Sequence, residues 1–318
     1  MPRMESMKKI LSPVYLFIAA LIWGLSFSAQ KSAGALPVFV LNALRALTAS
    51  LFLFCMIPLF DLLTKSERRL FSGKHGLDFT RSELVGGVIC GALLFLANGA
   101  QQLGINGSEL FPGATAGKAA FLSALYVVIV PLYGIFLGRH VGGRVWCSVG
   151  LAIVGSFLLC FNKESGIGVA DLILLGCAAF YALHITVIDR FSPSVDGVRL
   201  SCIQFLTAGV LSAFLALILG SPFDLPLIGE NIFPILVLGI GASGIAYTAQ
   251  ILGQRDTPPA VASLILSLES VFGVIGAAVF LGESMTAREI VGCAVVFLSV
   301  LLAETDVKAL FSKKKDQK

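Results

Sequence analysis

Polar and aromatic side chains recur three or four residues apart inside several long apolar runs of this sequence. Residues at that spacing share one face of an α-helix, so each set could present its polar groups to a common cavity. The residues of these sets are Trp23, Ser26, Asn98, Gln101, Gln102, Ser123, Tyr126, Tyr181, His184, Tyr247, Gln250, Ser267, Glu269 and Ser270. Amides could bind an amino or carboxyl group without burying net charge, and aromatic rings could enclose an apolar or aromatic ligand. We expect a substrate site here; the alternative is hydrogen bonding that holds helices together.

A single arginine, Arg45, lies inside the apolar run "FVLNALRALTASLFLFCMIPLF" from Phe39 to Phe60. A charge at that position costs about 2.5 kcal/mol or more unless it has a partner, a wet cavity or a route to the surface. Counted along their helices, Arg45 and Glu269 lie ~12 Å and ~14 Å from opposite faces of a ~30 Å apolar layer. An ion pair or a shared ligand is therefore allowed. The alternative is that Arg45 reaches outward, or clamps carbonyl groups of neighbouring helices.

The composition is that of a membrane protein. Of 318 residues, 57% are hydrophobic and only 13% are charged, against about 25% charged in soluble domains, and the mean hydropathy is +0.91. The sequence predicts an all-α integral membrane protein with ten transmembrane helices. Their expected bounds are 11–30, 37–60, 83–104, 117–138, 145–162, 169–188, 198–219, 232–253, 260–281 and 288–303. The first segment is too long for a signal peptide, so we read it as a retained helix.

Lysine and arginine indicate the orientation of these helices. Most of the 23 basic residues fall in loops on the side of the two termini, whereas the opposite side holds Lys31, Lys118, Lys163 and Arg288. Because cytoplasmic loops are richer in lysine and arginine, we expect both termini to lie in the cytoplasm. The chain is then expected to span the inner membrane.

The two halves of the chain resemble each other. The segment "LSALYVVIVPLYGIFLGRHVGGR" from Leu122 aligns without gaps on "LSLESVFGVIGAAVFLGESMTAR" from Leu266, and "AQQLG" at Ala100 matches "AQILG" at Ala249. The matches pair the second, third and fourth helices with the seventh, eighth and ninth. A shift of five helices reverses direction, so residues 11–162 and 169–303 are predicted inverted repeats, which are common in secondary transporters. A third match, "LTA" at Leu47 with "LTA" at Leu206, pairs the second helix with the seventh and places Arg45 opposite Gln204.

These repeats resemble the EamA-like branch of the drug/metabolite transporter superfamily. The resemblance is carried by "LIWGLSFSAQK", "ALRALTA", "GKAAFLSALYVVIVPLYGIFLG" and "SLILSLESVFGVIGAAVFLGESMTAREIVG". It implies ten helices in a 5+5 inverted arrangement around a central cavity, and export or exchange of small metabolites such as amino acids. Two positions depart from the family pattern: Ser270 follows Glu269 where proline is frequent, and Arg139 stands where the second half has Glu283.

We therefore expect a secondary transporter for small polar or aromatic metabolites, embedded in membrane lipid and working by alternating access. Proton coupling through His184 or Glu269 and uncoupled export both fit the sequence. No cofactor, metal site, nucleic-acid partner or enzymatic activity is expected, and the oligomeric state is open. The alternatives are an intramembrane enzyme or sensor and, among transporters, a carrier of nucleotide sugars or phosphate esters. The seven cysteines and the GxxxG pairs Gly87/Gly91 and Gly134/Gly138 are read as packing residues.

Overall fold

The computed structural model of the protein describes residues 2–63, 78–108, 110–114, 116–160, 167–281 and 285–304. Lys163 and Glu283 lie outside these residues, as do the side chains of Lys31 and Lys118. The helices are α1 (Pro2–Ser32), α2 (Val38–Leu63), α3 (Arg81–Asn106), α4 (Ala116–Ala124), α5 (Tyr126–Phe136), α6 (Gly143–Cys160), α7 (Val169–Phe191), α8 (Gly197–Ile218), α9 (Leu225–Glu230), α10 (Ile232–Leu236), α11 (Ala246–Gln254), α12 (Pro259–Leu266), α13 (Glu269–Leu281) and α14 (Ala287–Glu304). A π-helical segment, Val237–Ile245, joins α10 to α11, and a two-residue hairpin, β1 (Gly107–Ser108) with β2 (Phe111–Pro112), follows α3.

Seven helical stretches in the described part of the chain are long and apolar enough to cross a membrane. They are Val38–Leu59, Arg81–Asn106, Ala119–Phe136, Val169–Ser194, Gly197–Ile218, Ile232–Gln254 and Pro259–Gly276. Leu11–Phe27 and Gly143–Leu159 are also apolar but shorter. The expected all-helical membrane fold is therefore confirmed in its class, while the count of ten spans stays a prediction.

Local sequence explains where several helices begin. Thr80 caps α3: its Oγ1 accepts the Glu83 backbone N–H at 3.2 Å, and Glu83 accepts the Thr80 N–H at 2.7 Å. Asp196 caps α8 by accepting the N–H groups of Val198 and Arg199. Pro259, which has no N–H to leave unpaired, occupies the first position of α12.

Two of the apolar stretches are broken helices. The first is interrupted at Leu125, between α4 and α5, and the second at Ser267 and Leu268, between α12 and α13. Pro131, where a kink is expected from the sequence, lies inside α5 and six residues beyond the break. The second break forms although Ser270, and not proline, follows Glu269.

One end of the bundle is called the terminal face. It is defined by Ser12, Asp61, Glu83, Asp189, Arg199 and Asp256. Its contacts include an ion pair of Arg139 with Asp189 at 2.5 Å and one of the fully buried Arg199 with Asp61 at 2.9 Å. The side chain of Gln254 donates to the Ile185 carbonyl at 2.8 Å. Such contacts join α2, α5, α7, α8 and α11 at one end of the bundle.

Small residues let two of the helices approach closely. A methyl group at Gly91 of α3 would lie 2.6 Å from the Thr207 side chain of α8, and one at Gly87 would lie 2.6 Å from Ile203. This pair has the expected packing role. For Gly134 and Gly138 that expectation is wrong: Gly134 has no neighbour closer than 3.8 Å, and Gly138 ends the helix with a positive φ of 75°.

Candidate functional site

A cavity lies among the apolar helices, and its lining mixes aromatic, amide and charged side chains. The side chains come from both halves of the chain: Trp23, Ser26, Phe27, Gln30, Arg45, Asn98, Gln101, Tyr126, Tyr181, His184, Ile185, Leu238, Ala242, Ser243, Tyr247, Gln250, Leu266 and Glu269. Its empty space measures about 630 Å³, including its opening.

Aromatic rings form one wall of this cavity. The Trp23 ring packs edge-on against Tyr247 with centroids 4.6 Å apart, and Tyr126 packs similarly against Tyr181 at 6.4 Å. The indole N–H of Trp23 donates to the Ala242 carbonyl in the π-helical segment at 2.8 Å. This bond fixes the ring of α1 against the opposite half of the chain, with its face available to a ligand.

A hydrogen-bonded group of amides lies beside these rings. The Tyr181 hydroxyl is 2.7 Å from Asn98 Oδ1 and 3.1 Å from Gln101 Oε1, so one phenol links two amides of α3 to α7. Asn98 and Gln101 thereby direct their NH₂ groups away from Tyr181. These groups can donate hydrogen bonds to a ligand.

His184 is almost fully buried at the edge of the cavity, with 1% of its surface exposed. Its Nε2 is 3.2 Å from Gln204 Oε1, and the Gln204 amide in turn donates to Ser201 Oγ at 3.2 Å. Because an amide oxygen only accepts, this pairing places a proton on Nε2, and in the neutral ring Nδ1 is then an acceptor. Gln204, which the sequence alignment predicts as the counterpart of Arg45, thus holds the His184 ring from the side away from the cavity.

Arg45 and Glu269 line the same cavity but form no direct ion pair in the described part of the chain, so the expected pair is not made. Arg45 is buried, with 7% of its surface exposed, and does not reach outward to a membrane face. Glu269 lies in the first turn of α13, directly after the helix break, and accepts a hydrogen bond from the Tyr126 hydroxyl at 3.2 Å.

Four of the predicted site residues lie outside the lining. Gln102 is buried behind it, where it accepts from Gln30 at 2.7 Å and donates to Asn106 at 3.0 Å. Ser123, Ser267 and Ser270 donate to backbone carbonyls of their own helices, at 2.7, 2.7 and 2.8 Å. Their hydroxyls stabilise the two helix breaks, and a role in binding is unsupported by their position.

Several lining residues were absent from the sequence-based set. Gln30 and Phe27 continue the spacing of Trp23 and Ser26 along α1, so the same three-and-four rule could have found them. Leu238, Ala242 and Ser243 lie on the π-helical segment. Since a π-turn changes which residues share a face, their apolar sequence carried no such signal.

Residues 168–305 match the model of the EamA-like transporter family. For that region the match confirms the resemblance to the drug/metabolite transporter superfamily. Together with the helices that are long and apolar enough to cross a membrane, it indicates a membrane transporter.

Two further comparisons extend over most of the chain. An "Uncharacterized transporter" of Archaeoglobus fulgidus is 28% identical over 313 residues, which are 95% of this chain and 89% of the archaeal protein. A solved crystal structure, described only as that of a protein, aligns with a TM-score of 0.70 at 20% identity, covering 92% of this chain and 96% of the other. The second similarity concerns the fold alone.

Proposed function

We propose that the protein is a secondary transporter that moves small polar or aromatic metabolites, such as amino acids, across the cytoplasmic membrane by alternating access. The observation that carries the proposal is the cavity itself. Its lining residues come from α1, α2, α3 and α5 in one half, and from α7, the π-helical segment and α11–α13 in the other. A site built between two halves can be exposed to either side when the halves rock against each other.

The helix packing supports inverted repeats, on which this mechanism depends. Under the predicted repeat, α2 corresponds to α8 and α6 to α14, and each of these pairs packs together. Under the same repeat α1 corresponds to α7, and α11 corresponds to α3. The contact of α1 with α11 therefore matches the contact of α7 with α3. The breaks between α4 and α5 and between α12 and α13 fall at nearly equivalent positions. Each observation is what a twofold relation between the halves would produce.

The charge of the lining favours metabolites over phosphate esters. Arg45 is the single lysine or arginine among the described lining residues, and it shares the cavity with the carboxyl group of Glu269. A nucleotide sugar or sugar phosphate would bring two negative charges into this space, where at least several cationic groups are usual. We therefore do not favour that alternative.

Counterflow in liposomes tests the proposal. Purified protein is reconstituted into vesicles loaded with an unlabelled amino acid, and uptake of the same labelled compound is measured for a panel of amino acids and their derivatives. We expect uptake above that of protein-free vesicles for at least one compound. The variant Gln101→Leu should reduce it at least several-fold, whereas Ser299→Ala, buried on α14 outside the cavity, should not. Folded protein without flux for any compound would refute the proposal.

A further inference from the structure

The cavity contains two opposite charges that do not neutralise each other directly. Arg45 and Glu269 both line it, yet no ion pair joins them within 4.0 Å. Within the described ranges Arg45 donates no hydrogen bond, and Glu269 accepts only the one from Tyr126. A charge in a membrane interior is costly unless something pairs with it. Both groups are therefore positioned to be completed by a third partner.

The two charges lie on different walls. Arg45 belongs to α2, which packs against α8 and the π-helical segment, whereas Glu269 begins α13, which packs against α1. Tyr181 and Tyr247 line the same cavity as both charges. The first turn of α13 also favours a negative side chain at Glu269, because the N-terminal end of a helix carries partial positive charge.

We propose that this pair of residues selects a zwitterionic ligand, with a carboxylate on Arg45 and an ammonium group on Glu269. The inference rests on the proposed function and specifies the charge pattern of its substrate. A ligand with both groups would pair both buried charges at once. A carboxylic acid without the ammonium group would leave Glu269 unpaired and would be repelled by it. An amine without the carboxylate would leave Arg45 unpaired and would be repelled by it.

Binding by the wild-type protein gives the first test. Thermal unfolding of the detergent-solubilised protein is followed with phenylalanine, 2-phenylethylamine and 3-phenylpropionate, which share a ring and differ in charged groups. Leucine, 3-methylbutylamine and 4-methylpentanoate form a second set with an aliphatic side chain. We expect the Tm to rise with the zwitterion of at least one set and to change much less with both of its analogues. An equal rise with either analogue, or no rise with any compound, overturns the inference.

Charge-neutral variants give the second test. In Arg45→Gln the remaining cavity charge is negative, so the affinity for the zwitterion should fall by about tenfold or more. The affinity for the amine should rise relative to the affinity for the acid. Glu269→Gln should raise the affinity for the acid relative to the affinity for the amine. Arg288→Gln removes the same charge on α14, outside the cavity lining, where the guanidinium donates to the Phe157 carbonyl, and should leave both unchanged. An identical ligand order in all three variants would contradict the assignment.

Two measures keep the outcome interpretable. Arg45→Lys retains the charge, and it should retain the preference for the zwitterion even if Arg45→Gln is not recovered folded; a lost preference would count against the inference. Binding and flux are also measured separately. Selective zwitterion binding without counterflow would refute transport but support the charge pattern, whereas counterflow of single-charge analogues at the zwitterion's rate would support transport and refute the pattern.

Discussion

At the scale of single residues, the hydroxyl of Tyr181 has the most connected position in the cavity. It lies 2.7 Å from Asn98 Oδ1 and 3.1 Å from Gln101 Oε1 and so orients two amides of another helix. Neutral hydrogen bonds of this kind contribute about 1 kcal/mol each to stability. Their larger effect here is on ligand binding, because without the phenol the two amides are free to turn.

Replacing Tyr181 with phenylalanine should therefore lower the free energy of unfolding by only about 1 kcal/mol, while weakening substrate binding several-fold. Thermal unfolding with and without the best ligand measures both effects. Tyr133→Phe removes a hydroxyl from α5 outside the cavity lining, and should change neither. A loss of stability without a loss of binding would assign Tyr181 a packing role only.

The buried Arg199 is a residue with a structural effect. Its guanidinium is fully buried, 2.9 Å from Asp61 and 3.5 Å from Asp196, and joins the end of α2 to the beginning of α8. Removing one partner of a buried ion pair costs about 3–5 kcal/mol, because the other charge is left without compensation. Arg199→Met should lower the Tm markedly or prevent recovery of folded protein. The control is Arg288→Met at a partly exposed position on α14, and equal Tm values for the two variants would contradict this reading.

At the scale of elements, the contact of α3 with α8 depends on glycine. A β-carbon at Gly91 would overlap the Gln204 carbonyl and the Thr207 side chain, and both belong to the helix that supports His184. A residue with a side chain at this position would therefore push α8 away and shift Gln204 from behind the cavity.

Gly91→Ala should destabilise the protein, although alanine is the better helix former. The same substitution at Gly176 of α7, where a methyl group would meet no atom within 4 Å, should stabilise it by up to about 1 kcal/mol. The two opposite shifts in Tm, measured in the same detergent, test whether helix contact decides the outcome. A stabilised Gly91→Ala would show that α3 and α8 can separate without cost.

The sequence could predict the helical membrane class and much of the cavity, because both depend on apolar length and on spacing along a helix. Ten of the predicted residues line one space, as does Arg45: Trp23, Ser26, Asn98, Gln101, Tyr126, Tyr181, His184, Tyr247, Gln250 and Glu269. Gln101 and Gln102 could not be separated, since adjacent residues point about 100° apart and the pattern does not say which faces inward. Three serines lie outside the lining, which spacing alone did not indicate, because a hydroxyl can donate to a carbonyl of its own helix.

At the scale of the whole molecule, polar contacts concentrate at the terminal face. The ion pair of Arg139 with Asp189 and the bond from Gln254 to the Ile185 carbonyl lie at this face. The lining of the cavity includes Ile185 and Gln250 toward this face, and it extends in the other direction to Gln30, two residues before the end of α1.

Asp189→Asn should favour the arrangement in which the terminal face is open. In a background without native cysteines, a cysteine at Gln250 should then react faster with a membrane-impermeant thiol reagent applied to the terminal face. A cysteine at Gln30 should react more slowly from the other face. Unchanged rates at both positions would show that the ion pair does not hold the terminal face closed. Thr186→Ala, on the same helix, is the control.

The π-helical segment has a consequence for the energetics of such a cycle. Its counterpart under the proposed repeat, the middle of α3, is a regular α-helix from Arg81 to Asn106. The proposed twofold relation between the halves is therefore inexact in the wall of the cavity, where the Trp23 indole N–H donates to the Ala242 carbonyl. In the proposed alternating-access cycle the two end states are then not equivalent by symmetry, and the empty carrier will spend unequal times in them. Even without an external gradient, the binding site of the empty carrier would then be open to one side of the membrane more often than to the other.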